Sequence, residues 1–465
     1  MFPTTDLPGR RNVAHRVRML MLGAGLAVAA PRAPLDAQVA PPRDSTSTAT
    51  SLDSLAARLA RTEEALRLLR EQLATESAAQ VRLRSRAQLE LSARLVMNSF
   101  RSSGNLQGGE SPVFASPDRA RDPEYGSAGR SNLGASFRQT LIGATATIDS
   151  VLGGTLAADL EVDFFARATD ANPPLFPEPR LRTARVFLTR PKTDIMLGTE
   201  TPLISDLNPI SSAGVGIPVF ATAGNLWNWL PQLRVTREVW SRAGARAVSV
   251  ALQGALMAPY ANERHLANLT GPDAAALTGK PAVESRVRVR WGTEHDVVAA
   301  QGVHTRGGEI GVGVHSGALR VAGDSSLHSW AVSTDLRVPL GTRVELRGEG
   351  YRGRLIRGLG GGAIGQNFGT LGVSEQPGVP LTDTAGWLQL NAQMTPMLIA
   401  GGGCGTDRVH ERAVDRRRNT ACAVHTQWRP TQPLFISFEW REFRTRYNSG
   451  LARGRQLNLG LGIEL

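Results

Sequence analysis

From Leu89 to the C-terminus, apolar and polar residues alternate with a period of two. Leu156, Ala158, Leu160, Val162 and Phe164 interleave with Ala157, Asp159, Glu161, Asp163 and Phe165. Val283, Ser285, Val287, Val289 and Trp291 interleave with Glu284, Arg286, Arg288 and Arg290, and Trp330, Val332, Leu336 and Val338 with Ser333, Asp335 and Arg337. Near the end, Leu434, Ile436, Phe438 and Trp440 alternate with Ser437, Glu439 and Arg441, and Leu457, Leu459, Leu461 and Ile463 with Gln456, Asn458, Gly460, Gly462 and Glu464. Successive side chains of a strand point to opposite faces, so each run predicts a strand with one apolar and one polar face. Sixteen strands are legible: 89–101, 132–149, 154–167, 180–190, 193–200, 231–240, 245–258, 283–292, 296–304, 329–340, 342–354, 384–395, 397–405, 419–429, 433–446 and 453–465.

A soluble sandwich would alternate in the same way, so the connections carry the distinction. Mostly long, Gly-rich, polar ones (102–131, 168–179, 201–230, 259–282, 305–328, 355–383, 406–418, 447–452) take turns with short ones at 150–153, 191–192, 241–244, 292–295, 341, 396 and 430–432. Long loops at one end, tight turns at the other and an even strand number are the pattern of an all-β transmembrane barrel of antiparallel strands. The 377 residues from Leu89 onward give about 24 per strand and connection, the spacing of porin-size barrels. The stretch 309–316 is read as a strand running up into its loop; as a separate hairpin it would raise the count to eighteen.

The N-terminal part is different. Arg10, Arg11, Arg16 and Arg18 precede an apolar run at 19–30, which is too short to span a bilayer and reads as an export signal. Cleavage after Ala37 makes 1–37 the signal peptide, with Ala-Val-Ala at 27–29 as the rival site. A Pro/Ser/Thr-rich linker covers 38–51. Leu52, Leu55, Leu59, Thr62, Leu66, Leu69 and Leu73 then fall at alternating spacings of three and four, the seam of a short coiled coil assigned to 52–86. One amphipathic helix packed on its own domain is the alternative. The barrel takes 87–465.

Composition and charge narrow this further. After residue 30 no run of about 18 apolar residues exists, which excludes a polytopic helical membrane protein. The chain carries 53 Lys+Arg against 41 Asp+Glu, and only Lys192 and Lys280 are lysine. Removal of 1–37 takes five arginines and two aspartates, which leaves a surplus of nine. Export makes nucleic acid an improbable partner for that charge and directs attention to membrane lipid and small anionic solutes. The mean hydropathy of −0.17 is what alternation produces when half of each strand faces water.

Chemistry is sparse. No catalytic constellation, cofactor motif or metal-ligand spacing occurs; His410 and His425 offer none. Gly360, Gly362 and Gly365 match G-x-G-x-x-G by letter, without the strand and helix that a nucleotide site needs. Cys404 and Cys422, in a disulfide-permissive compartment, are expected to clamp a loop at 405–421, worth about 3 kcal/mol by loop entropy. What remains is the polar face. Asp159, Glu161, Asp163, Arg185, Arg286, Arg288, Arg290, Asp335, Arg337, Glu345, Arg347, Glu349, Glu439 and Arg441 are the candidate pore-lining residues. Arg286, Arg288 and Arg290 would form a cationic ladder about 13 Å long at roughly 3.3 Å per residue. Such a ladder suits carboxylates or phosphates, while mutual neutralisation inside a closed barrel is the bland alternative. The basic surplus is assigned to this inner face. The connection 201–230 is long enough to fold inward as a constriction. Trp240, Trp291 and Trp428 at short-turn ends, with Trp330 and Trp387 at long-loop ends, suggest two interfacial girdles.

Taken together, the export signal, short coiled coil and sixteen-stranded barrel resemble the DcaP-like trimeric porins of Gram-negative outer membranes. The nearest residue-level echoes are Leu346-Arg347-Gly348-Glu349-Gly350-Tyr351-Arg352-Gly353 and Asn225-Leu226-Trp227-Asn228-Trp229. The resemblance implies a homotrimer in the outer membrane, a coiled coil in the periplasm, and passive diffusion of small, often anionic solutes without enzymatic activity. Phosphate-selective porins share the architecture but have a Lys-rich pore, from which two lysines depart; Leu465 also stands where barrels usually end in Phe. A scaffold or adhesin whose barrel only anchors the coiled coil and surface loops is the competing functional class.

Overall fold

The computed structural model describes residues 81–82, 87–117, 131–166, 177–244, 247–263, 272–292, 303, 306–321, 325–369, 378–412 and 414–465. The export signal, the linker and the leucine seam lie outside them. Val81–Arg82 is a short strand paired with Leu89 and Gln88.

The alternating runs form sixteen antiparallel strands. They are β1 (Gln88–Ser103), β2 in two pieces (Ser131–Ser136 and Leu141–Val151), β3 (Gly154–Asp163), β4 (Arg180–Arg190) and β5 (Thr193–Glu200). There follow β6 (Leu230–Arg242), β7 (Val248–Met257), β8 (Ala282–Gly292), β9 (Gly307–Arg320), β10 (Ser326–Leu340) and β11 (Val344–Arg354). The last five are β12 (Thr382–Thr395), β13 (Leu398–Val409), β14 (Arg416–Thr431), β15 (Leu434–Tyr447) and β16 (Gly450–Glu464). Each pairs with its sequence neighbours, and β1 pairs with β16 from Arg94 opposite Glu464 to Ser103 opposite Arg455, which closes the cylinder. Closure leaves no unpaired strand edge, the condition for crossing a bilayer with strands.

One strand differs from the sequence reading. The expected strand at 296–304 falls almost wholly outside the described residues. The ninth strand is Gly307–Arg320, in the tract assigned to a loop. Ile310, Val312 and Val314 point outward there and Glu309 and His315 inward. The glycines at 307, 308, 311 and 313 weaken the apolar signal, so the sequence alone shows 309–316 only as the upper part of a strand running into its loop.

Period two sorts the side chains. Leu95, Met97, Leu160, Leu197, Leu252, Val287, Val312, Leu388, Leu390, Leu459 and Leu461 are exposed on the outer wall, while Asp159, Arg185, Glu284, Arg286, Asp335, Glu439, Arg441 and Asn458 are buried inside. This inside-out distribution suits lipid outside and a polar lumen within. Trp240 and Trp428 are exposed on the outer wall. Trp387 is not part of a girdle: it shares the phase of Ala385 and Gln389, is only 2% exposed, and stacks on Phe220 inside the barrel at 5.7 Å.

Cys404 and Cys422 are disulfide-bonded, as expected, but they do not clamp a loop. They are direct register partners in β13 and β14, on the outer wall, and the unpaired connection is only 410–415. The bond still closes a large loop in the unfolded chain. The variant C404S/C422S is expected to lose about 3 kcal/mol of stability, read as a lower unfolding midpoint in denaturant. An unchanged midpoint would show that strand pairing alone fixes this hairpin.

Candidate functional site

The lumen is crossed by the connection between β5 and β6, residues 201–229. Most of its apolar side chains are fully buried: Leu203, Ile204, Ile210, Val215, Val219, Phe220 and Leu226 are at most 3% exposed. Burial of this kind contributes roughly 2 kcal/mol per large side chain, enough to hold a segment that has little regular secondary structure. The polar groups of the segment meet the wall one after another. Ile204 N donates to Glu284 Oε2 on β8 (3.2 Å), and Ser333 Oγ on β10 donates to the Ile204 carbonyl (2.5 Å). Arg347 on β11 donates to the Asn208 carbonyl (3.1 Å), and Gln389 on β12 both accepts from Ile210 N (2.7 Å) and donates to its carbonyl (2.8 Å). Ser211 Oγ and Ser212 N donate to Glu439 on β15 (2.7 and 3.0 Å), and Gln139 beside β2 accepts from Val215 N (2.9 Å). Arg180 on β4 donates to the Gly216 carbonyl (3.0 Å). The return path rests on β13, where a Cβ at Gly405 would lie 2.0 Å from the Ala223 carbonyl oxygen, so only glycine admits the segment there.

The candidate pore-lining residues all lie in the barrel strands, and the structure sorts them into ion-paired sets. Arg185 grips Asp159 through two 2.8 Å bonds and also meets Glu200. Arg180 pairs with Asp163 (2.6 Å) and Arg182 with Glu161 (3.5 Å). Arg286 holds Asp335 through bonds of 3.0 and 2.5 Å and reaches Asp206 of the crossing segment at 3.3 Å. Arg290 and Arg337 share Glu309 (2.9 and 3.5 Å). Glu345 pairs with Arg347 (2.5 Å) and Glu439 with Arg441 (2.6 Å). Glu349 instead takes hydrogen bonds from Asn225 (2.9 Å) and Trp387 Nε1 (3.0 Å). Arg288 lies half-buried between Arg286 and Arg290.

Two expectations change. The ladder of Arg286, Arg288 and Arg290 is not a free cationic file, because carboxylates from β9, β10 and the crossing segment face Arg286 and Arg290. The arginines are also not confined to the inner face: Arg352, Arg408, Arg418, Arg446 and Arg453 are exposed on the outer wall.

Asp206 anchors the crossing segment electrostatically. Burial alone would raise its carboxyl, but the Arg234 and Arg286 guanidinium groups outweigh burial and hold it below the ordinary value. A depressed carboxyl contributes fully above the ordinary aspartate value of about 3.9 and loses its contribution as pH falls below it, so the segment stays anchored at neutral pH.

Sequence reasoning missed Asp206, Glu200, Glu309, Gln139 and Gln389. Glu309 was recoverable from the Ile310/Val312/Val314 alternation. The others lie in loops or among uncharged wall residues, where no periodic signal exists. The Gly-rich motif has a structural role. Ala363 and Ile364 take left-handed conformations (φ 49° and 57°), flanked by glycines, and their N–H groups donate to Asp383 Oδ2 (2.9 Å) and Asp407 Oδ2 (2.8 Å). Consecutive amides in this conformation make a small anion-binding concavity, filled here by the protein's own carboxylates.

No protein-family model and no curated protein matches this sequence. The fold matches solved structures. The outer membrane channel DcaP of Acinetobacter baumannii is 14% identical, with 83% of this chain aligned to 100% of that one at a TM-score of 0.57. The anion-selective porin from Comamonas acidovorans is 11% identical, with 82% of this chain and 100% of that one aligned at 0.50. The barrel has the fold of DcaP and of other sixteen-stranded porins.

Proposed function

We propose that this chain is an outer-membrane porin, a non-enzymatic, water-filled channel for passive diffusion of small hydrophilic solutes. The observation that carries this reading is the inward course of residues 201–229. A barrel that served only as an anchor has no use for a segment that lines its interior and meets the wall at β4, β8, β10, β11, β12 and β15. Charges of both signs along the same lumen create a transverse field that orients dipolar solutes in the narrowed section. Because Arg185, Arg286, Arg290, Arg347 and Arg441 each face a carboxylate, small anions are admitted more than selected. The export signal at 1–37 delivers the chain to the envelope. The coiled coil within 52–86 extends into the periplasm and, with the barrel wall, holds a homotrimer.

Liposome swelling tests permeation. Proteoliposomes are expected to swell rapidly in small sugars and slowly in trisaccharides, and no swelling in any sugar would remove the porin reading in favour of an anchor. The reversal potential in a KCl gradient tests the charge assignment. It is expected near zero, with a modest shift toward cations in R286Q/R288Q/R290Q, whereas a large anion-selective potential would contradict the pairing of the ladder.

A further inference from the structure

The outer wall carries a feature that conduction does not use. At the long-loop ends of β11 to β15, Arg352, Thr384, Arg408, Arg418 and Arg446 are successive register partners, one per strand. At about 4.8 Å between strands this row spans about 19 Å. One step toward the short turns Arg444 faces Arg453, and one step further Arg455 faces Glu442. Glu442 is engaged by Arg444 (2.9 Å) and more loosely by Arg455 (3.9 Å). Arg352, Arg408, Arg418, Arg446 and Arg453 are exposed; Arg418 donates to Thr406 Oγ1 (3.3 Å), Arg453 lies in the field of Glu442, and Arg352, Arg408, Arg418 and Arg446 form no ion pair among the described residues.

Like charges directly opposite each other on adjacent strands destabilise a sheet. Arg408, Arg418 and Arg446 place three guanidinium groups side by side in this way. Toward the short turns the same wall is apolar, with Leu388, Leu390, Val424, Phe438, Leu457, Leu459 and Leu461 exposed. The row therefore stands on the long-loop rim of the lipid-facing belt, the level of lipid headgroups. It is also one-sided: the corresponding outward positions on β4, β6, β7 and β8 are Leu181, Leu233, Leu256 and Val283.

We propose that this arginine row docks the phosphorylated headgroups of a glycolipid in the outer leaflet, each phosphate bridging neighbouring guanidinium groups while the acyl chains cover the leucines below. Guanidinium suits the role because its planar fork meets phosphate oxygens in a bidentate way. A membrane lipid fits better than free phosphate, because the row lies on a convex wall without a pocket and borders an apolar surface. The inference rests on the outer-membrane placement and not on conduction, so channel activity and lipid binding are separable.

The test uses the full chain purified in detergent, titrated with diphosphoryl lipid A, monophosphoryl lipid A and inorganic phosphate, with bound lipid read by native mass spectrometry. Diphosphoryl lipid A is expected to bind most tightly and to stay bound in a large excess of inorganic phosphate. At about fivefold per arginine near a charged lipid surface, R408Q/R418Q/R446Q should weaken binding about a hundredfold. The lysine triple variant should be intermediate, and R237Q, on the opposite rim, unchanged. Equal binding by the glutamine triple variant, no preference for the second phosphate, or displacement by inorganic phosphate would each overturn the proposal. So would a change of oligomer size in that variant, which would assign the row to contact between copies. All variants lie on exposed positions, and folding is checked by heat-modifiable gel mobility.

Discussion

Excision of residues 203–228, replaced by a short Gly-Ser turn, is expected to raise single-channel conductance at least about twofold, since the narrow section of a pore limits its current. The geometry permits the experiment. Glu200 and Leu230 are direct register partners at the ends of β5 and β6, so a tight turn can rejoin the hairpin without stretching either strand. The excision uncovers Glu284, Gln389, Glu439 and Glu349, all of which meet the segment. Water replaces those bonds, so the barrel, held by its own ladders, should survive. Conductance equal to the full-length protein, with barrel mobility on gels intact, would mean that the segment does not set the narrow section.

The second large effect is on stability. Asp335→Ala is expected to cost about 3–5 kcal/mol, because it leaves Arg286 as a buried charge with its main partner gone. Both side chains of this pair are fully buried. Asp206 at 3.3 Å remains, which favours the lower end of the range. Replacing both partners with apolar residues of similar volume, R286M/D335L, is expected to restore most of the loss, because a buried pair is worth little more than good packing. Denaturant unfolding in detergent reads both variants. A cost below about 1 kcal/mol for the single variant would show that water reaches the pair.

Much of the barrel was legible in the sequence because its physics is one-dimensional. Lipid on one side and a polar lumen on the other impose period two, and fifteen of the sixteen expected strands fall within a few residues of those observed. The ninth was misplaced where glycines dilute the alternation around Ile310 and Val312. The polar face turns inward, but its partners are not legible in the sequence, since Asp206 and Glu200 meet arginines that are remote in sequence or belong to other strands. Trp387 shows the same limit. Its end of the strand suggested an interface, whereas its phase with Gln389 places it inside. The arginine surplus was assigned to the lumen because inward arginines stood out against apolar neighbours. On the outer rim, Arg408 and Arg418 fall in the tract 406–418 that the sequence reads as loop, and Arg446 is the last residue of an expected strand.

Single-channel recording of the purified full chain in planar bilayers bears most directly on the porin reading. Discrete, ohmic steps in KCl at low voltage are the expected result, and silence at all voltages from correctly folded protein would contradict it.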